Sequence, residues 1–223
     1  MDADIITFDC YGTLIDWESG IIDAFRSEAS KDGVKLDPAS IVAAYMAEEP
    51  EVEGGQYRSY REVLTETAGR VAGRLGWKLD PDRASFLPNS LPGWRPFADT
   101  NAALEKLSTR YKLGILSNTD DDLLAATRKH FTVEFDLIIT AQQVRSYKPG
   151  YAHFQEALRR TEGKRLLHAA RSYFHDVVPT AALGIPSVWV NRRRDPIGHD
   201  GVRPTYEVSD LAGLADLLIS DPS

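Results

Sequence analysis

The chain has 223 residues, 43% hydrophobic and 26% charged, enough for one generous core or a core with a small accessory domain. Lys and Arg number 26 against 33 Asp and Glu, a net charge of −7, which argues against a general affinity for nucleic acid or anionic membrane and favours a small-molecule partner. One cysteine, Cys10, rules out an internal disulfide; no apolar run reaches membrane-spanning length, and the acidic start MDAD lacks the basic opening of a secretory signal, so the expected location is cytoplasmic.

The stretch from Asp4 to Trp17 reads DIITFDCYGTLIDW. Ile5, Ile6 and Phe8 make a short apolar run ending in a carboxylate, Asp9, and Gly12 then breaks the pattern. This is how a buried parallel strand delivers a residue to its carboxyl edge. Open α/β sheets keep their chemistry there, although an Asp at a strand end also serves as a turn former or helix cap. From Trp17 to about Lys31, Ile21, Ile22, Phe25 and Ala29 recur at helical spacing, and Gly33 supplies a stop. Asp37-Pro38 starts a second helix with Ile41, Val42, Tyr45 and Met46 as its stripe, followed by an acidic, Gly-containing loop from Glu48 to Gly55. A third helix is expected from about Gln56 to Leu75, and a short one around Pro81 to Leu87. The Pro- and Gly-rich segment Pro88 to Pro96 suits a connection between two bodies. Residues 15 to 93 thus read as an all-helical insert.

The remainder alternates in type. Helices are expected at Ala98 to Thr109, Asp120 to Lys129, Gly150 to Arg160, Val177 to Leu183 and Asp210 to Ile219, and strands at Tyr111 to Leu116, Asp136 to Ile139, Leu166 to Ala170 and Ser187 to Val190. This rhythm predicts a Rossmann-like α/β fold, a mainly parallel sheet with helices on both faces. Right-handed crossovers place the strand ends on one rim. Asp9 ends the first strand there and Ser117-Asn118 the second; Tyr147-Lys148-Pro149 follows the third, and the fourth leads to Ser172 and Asp176. Each residue has a bland reading of its own, Lys148 as a loop lysine and Asp176 as a cap for the helix at Val177. Their joint arrival at successive strand ends points to a catalytic rim.

At these residues the chain resembles the haloacid dehalogenase-like hydrolase superfamily, and within it the type II (S)-2-haloacid dehalogenases. FDCYGTL is similar to the nucleophile motif, LSNTD to the second motif, SYKP to the third and FHDVVPTAALGIPSVWVNR to the fourth. The resemblance implies a Rossmann-like core at 1 to 14 and 94 to 223, with a helical cap at 15 to 93. It implies that Asp9 attacks the substrate to form an ester that water cleaves, and that Lys148 keeps Asp9 ionised. Thr13 and Ser117 would donate to carboxylate oxygens. Asn118 would help cradle an anionic substrate with the amides of the following helix. Asp176 would orient or activate water, and Ser172 would position its neighbours. Tyr11 lies where the phosphatases of the superfamily carry a second Asp that protonates the leaving alcohol. A halide needs no proton, so hydrolytic dehalogenation of a small 2-haloacid, with no cofactor, is the expected activity. The alternative is a Mg²⁺-dependent phosphatase of a small phosphate ester.

Several positions depart from the dehalogenase pattern. The cap arginine that grips the substrate has no counterpart where Tyr45, Met46, Glu48 and Glu49 stand, leaving Arg58, Arg61 or Arg171 as substitutes. Phe154 replaces an expected tyrosine. His175 has two readings, base or packed residue, and Cys10 reads as a small core residue. The Arg192 to Arg194 run reads as a solvated loop with some steering of anions. Trp17 and Trp94 flank the two cap connections, as hinge anchors or site lining. An exposed apolar cap face would favour a homodimer.

Overall fold

Six strands of the computed structural model, which describes residues 2–219, form one sheet. They are Ile5–Phe8 (β1), Lys112–Ser117 (β2), Leu137–Thr140 (β3), Leu166–Ala170 (β4), Ser187–Val190 (β5) and Tyr206–Val208 (β6). The order is β3-β2-β1-β4-β5-β6 and every neighbouring pair is parallel. The chain steps outward from β1 to β3, then returns to lay β4 on the other side of β1. That reversal opens a crevice beyond the carboxyl ends of β1 and β4. Every residue of β1, β4 and β5 is buried, as a sheet covered on both faces requires.

Between β1 and β2 the chain is helical: Trp17–Ser30 (α1), Pro38–Glu53 (α2), Tyr60–Arg74 (α3), Phe86–Ser90 (α4) and Thr100–Ser108 (α5), with single 3₁₀ turns at Pro81–Arg83 and Leu91–Gly93. Local chemistry sets three of the starts. The Asp16 carboxylate accepts from Ser19 N, Asp37 accepts from Ser40 N with Pro38 as the first helical residue, and Ser59 with Glu62 forms a complete capping box. That capping box starts α3 at Tyr60 rather than near Gln56. The expected acidic loop after Met46 is instead the last two turns of α2. Pro50 forgoes one backbone N–H there, but Val52 buries its side chain and holds the turn in place.

After β2 come Asp121–Thr127 (α6), Ala141–Val144 (α7), Ala152–Arg160 (α8), Val178–Ala182 (α9) and Leu211–Ile219 (α10). A π-helical turn at Tyr173–Val177 precedes α9 and is capped by Ser172, so Asp176 lies inside a helical turn rather than capping one. The sequence reading lacked both α7 and β6. One apolar cluster joins Ile6 and Phe8 of β1 to Ile21 and Phe25 of α1, Val63 and Leu64 of α3, and Leu211 and Leu214 of α10. A second, smaller cluster holds Ile5, Leu116, Ile139 and Phe154. Gly114 lets β1 to β3 close up, since a Cβ there would lie 3.0 Å from Leu137 Cβ and 3.1 Å from Thr7 Cγ2.

The helical segment is fastened to the sheet beside the crevice. Asp120, just past β2, accepts from Tyr60 N and Arg61 N, both at 2.9 Å, so a carboxylate of the sheet caps the positive end of α3. Tyr147 OH donates to Arg58 O at 2.9 Å in the same region. On the opposite side Trp94 lies flat on Gly20 of α1, where a Cβ would come within 2.4 Å of the ring.

Candidate active site

Asp9 follows β1, and the chain doubles back at once: Gly12 has φ +98°, and its N–H donates to Ile15 O at 2.8 Å. The return brings Thr13 onto the Asp9 carboxylate, Oγ1 donating to Oδ2 at 2.9 Å while accepting from Arg171 N at 2.8 Å. Lys148 arrives from the loop after α7, with its side chain only 1% exposed. Its ammonium donates to Asp9 Oδ1 at 2.9 Å, Leu116 O at 2.9 Å and Asp176 Oδ1 at 2.7 Å, one acceptor for each proton. Burial opposes the charged lysine, but the two carboxylates outweigh it and hold its pKa above the usual value. Burial likewise opposes ionised Asp176, yet the Lys148 charge and a hydrogen bond to His168 keep its carboxyl well below the usual range.

His168 is a buried neighbour of Asp176 that the sequence reading lacked. It stands beside Thr7 across the β1–β4 register, with Nδ1 2.9 Å from Thr7 Oγ1 and Nε2 3.0 Å from Asp176 Oδ1. Its only sequence signal was a polar residue in the middle of a buried strand.

The remaining expected residues reach the same place with different partners. Asn118 is spent on structure: Oδ1 accepts from Lys148 N at 2.7 Å, and Nδ2 donates to Lys148 O at 3.0 Å and Glu53 Oε1 at 3.2 Å. It clamps the lysine loop and is not free to cradle an anion. The helix after it begins with three acids, Asp120 to Asp122, rather than an open anion site. Ser117 Oγ, expected on a carboxylate, is buried with no partner among the described residues, and so is Asp176 Oδ2. Ser172 caps the π-turn, with its hydroxyl 3.0 Å from His175 Nδ1. The Tyr11 hydroxyl shares a 2.9 Å hydrogen bond with Thr127 Oγ1, and burial pushes its phenol well up.

These side chains line a cavity of about 280 Å³, at the small end for ligand pockets. Trp17, Tyr45, Glu49, Glu53, Tyr60 and Trp94 line its other end. Both tryptophans therefore serve the site as well as the connections. His175 lines it too, and burial lowers its pKa, so the ring is neutral. Of the three candidate arginines only Arg171 lines the cavity. Arg58 binds Glu66 and Val52 O, and Arg61 binds Asp122 and Asn89. Arg192 is no solvated loop residue either: it donates to Thr13 O and Asp99 and stacks on Phe97 at 4.0 Å. Among the described residues no group of three or more His, Cys, Asp or Glu gathers to hold a metal. Among the described residues no helix is long and apolar enough to cross a membrane.

Known proteins share this architecture. (S)-2-haloacid dehalogenase H-109 of Pseudomonas putida is 26% identical over 225 residues, covering 96% of this chain and 97% of that protein. A glyceraldehyde 3-phosphate phosphatase of Methanothermobacter thermautotrophicus is 28% identical over 137 residues, 56% of this chain and 59% of the relative. The crystal structure of the L-2-haloacid dehalogenase RSc1362 superposes with a TM-score of 0.85 at 20% identity, covering 98% and 99% of the two chains, a likeness of fold. The family profile described as haloacid dehalogenase-like hydrolase matches residues 3–169. That span runs from before β1 almost to the end of β4 and takes in Asp9, Ser117 and Lys148. On this ground the chain belongs to the haloacid dehalogenase-like hydrolases.

Proposed function

We propose that this hydrolase acts through an ester on Asp9 and expels a leaving group that needs no proton, the halide of a small 2-haloacid. The observation carrying the proposal is the Asp9–Lys148 pair at 2.9 Å beside a Tyr11 whose hydroxyl is tied to Thr127. A carboxylate is thus held by Lys148 and Thr13 at the crevice, and the residue two positions on is no carboxylic acid. One Asp9 oxygen forms a bond to the substrate carbon as the carbon–halogen bond breaks and the halide leaves with the electron pair. Lys148 and Thr13 hold Asp9 in attacking position. Water then adds to the ester carbonyl, the alcohol departs, and Asp9 is restored with one oxygen from water. Asp176, with its lowered pKa, orients that water through Oδ2 rather than taking its proton. Neutral His175, in the same cavity, is the base available for it. The helical segment 15 to 93 acts as the cap that excludes bulk water.

A second reading, a Mg²⁺-dependent phosphatase, is favoured by the unpartnered Asp176 Oδ2 and by the phosphatase relative. Asp9 and Asp176 would be the residues holding the metal, which would neutralise phosphoryl charge. Halide release from 2-chloropropionate in EDTA, abolished by Asp9→Asn, is the expected result. Release of phosphate from p-nitrophenyl phosphate only with Mg²⁺, with no halide released, would replace the first reading with the second.

A further inference from the structure

The α2 side of the cavity is acidic, with Glu49 and Glu53, where the dehalogenase pattern carries an arginine. Glu49 and Glu53 lie four residues apart on one face of α2, in its last two turns, and both line the cavity. Like charges at that spacing repel, and negative charge at a helix C-terminus opposes the helix dipole. Neither carboxylate forms an ion pair among the described residues. Glu49 receives one hydrogen bond, from Tyr60 OH at 3.2 Å, and Glu53 one, from Asn118 Nδ2 at 3.2 Å.

Neither cation lining the cavity, Lys148 or Arg171, pairs with the two glutamates among the described residues. Lys148 is shared by Asp9 and Asp176, and Arg171 lies 4.0 Å from Glu18. Aromatic rings line the same cavity: Tyr60, which donates to Glu49, Tyr45 against Trp17 with centroids 5.5 Å apart, and Trp94 against Tyr11 at 5.9 Å. Aromatic faces and unpaired carboxylates together suit an organic cation. Independent evidence that the cavity takes a ligand comes from its floor, where buried Ser117 Oγ and Asp176 Oδ2 lack partners.

We propose that the α2 end of the pocket holds an ammonium group of the substrate, Glu49 and Glu53 supplying the counter-charge and Trp17, Tyr45, Tyr60 and Trp94 the walls. The proposal rests on this cavity being the substrate pocket and narrows the substrate class to amine-bearing molecules whose electrophilic end lies at Asp9. The acidity of the pair agrees with it. Burial pushes Glu49 up to about 7, and burial together with the Glu49 charge pushes Glu53 up to about 9, so both take up protons when no cation is present. The groups facing the pair are Tyr45 of α2, Tyr60 of α3, Asn118 after β2 and, at longer range, Tyr147 and Lys148 of the loop after α7.

Choline and its neutral carbon analogue, titrated calorimetrically into the full chain, provide the test. Choline is expected to bind at least about tenfold more tightly than the analogue, with affinity rising from pH 6 to 9 and protons released on binding. The double variant Glu49→Gln, Glu53→Gln is expected to lose that preference and its pH dependence. Failure of choline to bind, equal binding of the two compounds by the wild-type protein, or a preference surviving the double substitution overturns the proposal. Binding is read without turnover, so a failed halide or phosphate assay leaves this result standing, and the reverse holds.

Discussion

At the scale of single residues, Lys148 carries more of the site than any other side chain. Its three protons meet three acceptors at 2.7–2.9 Å while it is almost wholly out of water. Lys148→Met is expected to leave Asp9 and Asp176 facing each other without compensation, costing about 3–5 kcal/mol in urea unfolding and abolishing turnover. The pH dependence follows from the signs. Asp176 titrates below its ordinary 3.8 when folded, so its contribution is present above that value and is lost as pH falls through the folded pKa. Lys148 titrates above 10.5, so its contribution is complete below 10.5 and is lost only as pH rises through the higher folded value. Glu49 and Glu53 run the other way: their pKa values are raised, so stability declines from about their ordinary 4.5 upward, until both are ionised in the folded state too. Glu53→Gln is therefore expected to raise Tm at pH 9 and leave it nearly unchanged at pH 4, roughly 2–4 °C for each kcal/mol. A thermal melt at the two pH values checks this.

Elements matter here through where they begin and end. The residues of α2 past Met46 read as a loop because they are acidic and lead into Gly54 and Gly55, whereas a buried Val52 and contacts from Tyr60 and Asn118 carry the helix on to Glu53, its last turn lying past Pro50. That extra turn places Glu53 at the pocket. The S-x-x-E signature at Ser59 was visible and fixes the true start of α3. In α1, Gly20 is a slot for Trp94. Alanine there would be worth up to about 1 kcal/mol of helix propensity on its own, but a Cβ within 2.4–2.6 Å of the indole forces the ring aside. Gly20→Ala is expected to lower Tm and to raise KM more than it lowers kcat, because Trp94 walls the pocket without reaching Asp9. Thermal melts and steady-state kinetics on the substrate that turns over check both.

Across the whole molecule, the parallel sheet and the helical insert were legible because each strand is a short apolar run between helices of clear period. The rim was legible because Asp9 and Ser117-Asn118 end the first two such runs, and Lys148 and Asp176 lie in the segments that follow the next two. What escaped was β6, three residues of an edge strand with two of them exposed, and the partnerships of polar groups. Asn118 and Ser117 were expected at ligand and carboxylate, and only three-dimensional packing shows one clamped to Lys148 and the other without a partner. Among the described residues the exposed large apolar side chains are Met46, Tyr151, Leu158, Phe174, Tyr206 and Leu217, of which only Met46 lies between residues 15 and 93. The main apolar cluster runs unbroken from α3 through β1 to α10. Sheet and insert are therefore expected to melt together, and tryptophan fluorescence and far-ultraviolet circular dichroism should trace one coincident transition in urea.

The fastening of α3 to Asp120 has a consequence for the catalytic cycle. Asp120 is the third residue after Ser117, so the loop that lines the cavity also holds the start of α3. Letting spent product escape along that side means stripping two main-chain donors from one carboxylate, on the order of 1.5–3 kcal/mol apiece before water replaces them. Any opening on that side therefore begins at the first turn of α3, where both donors lie.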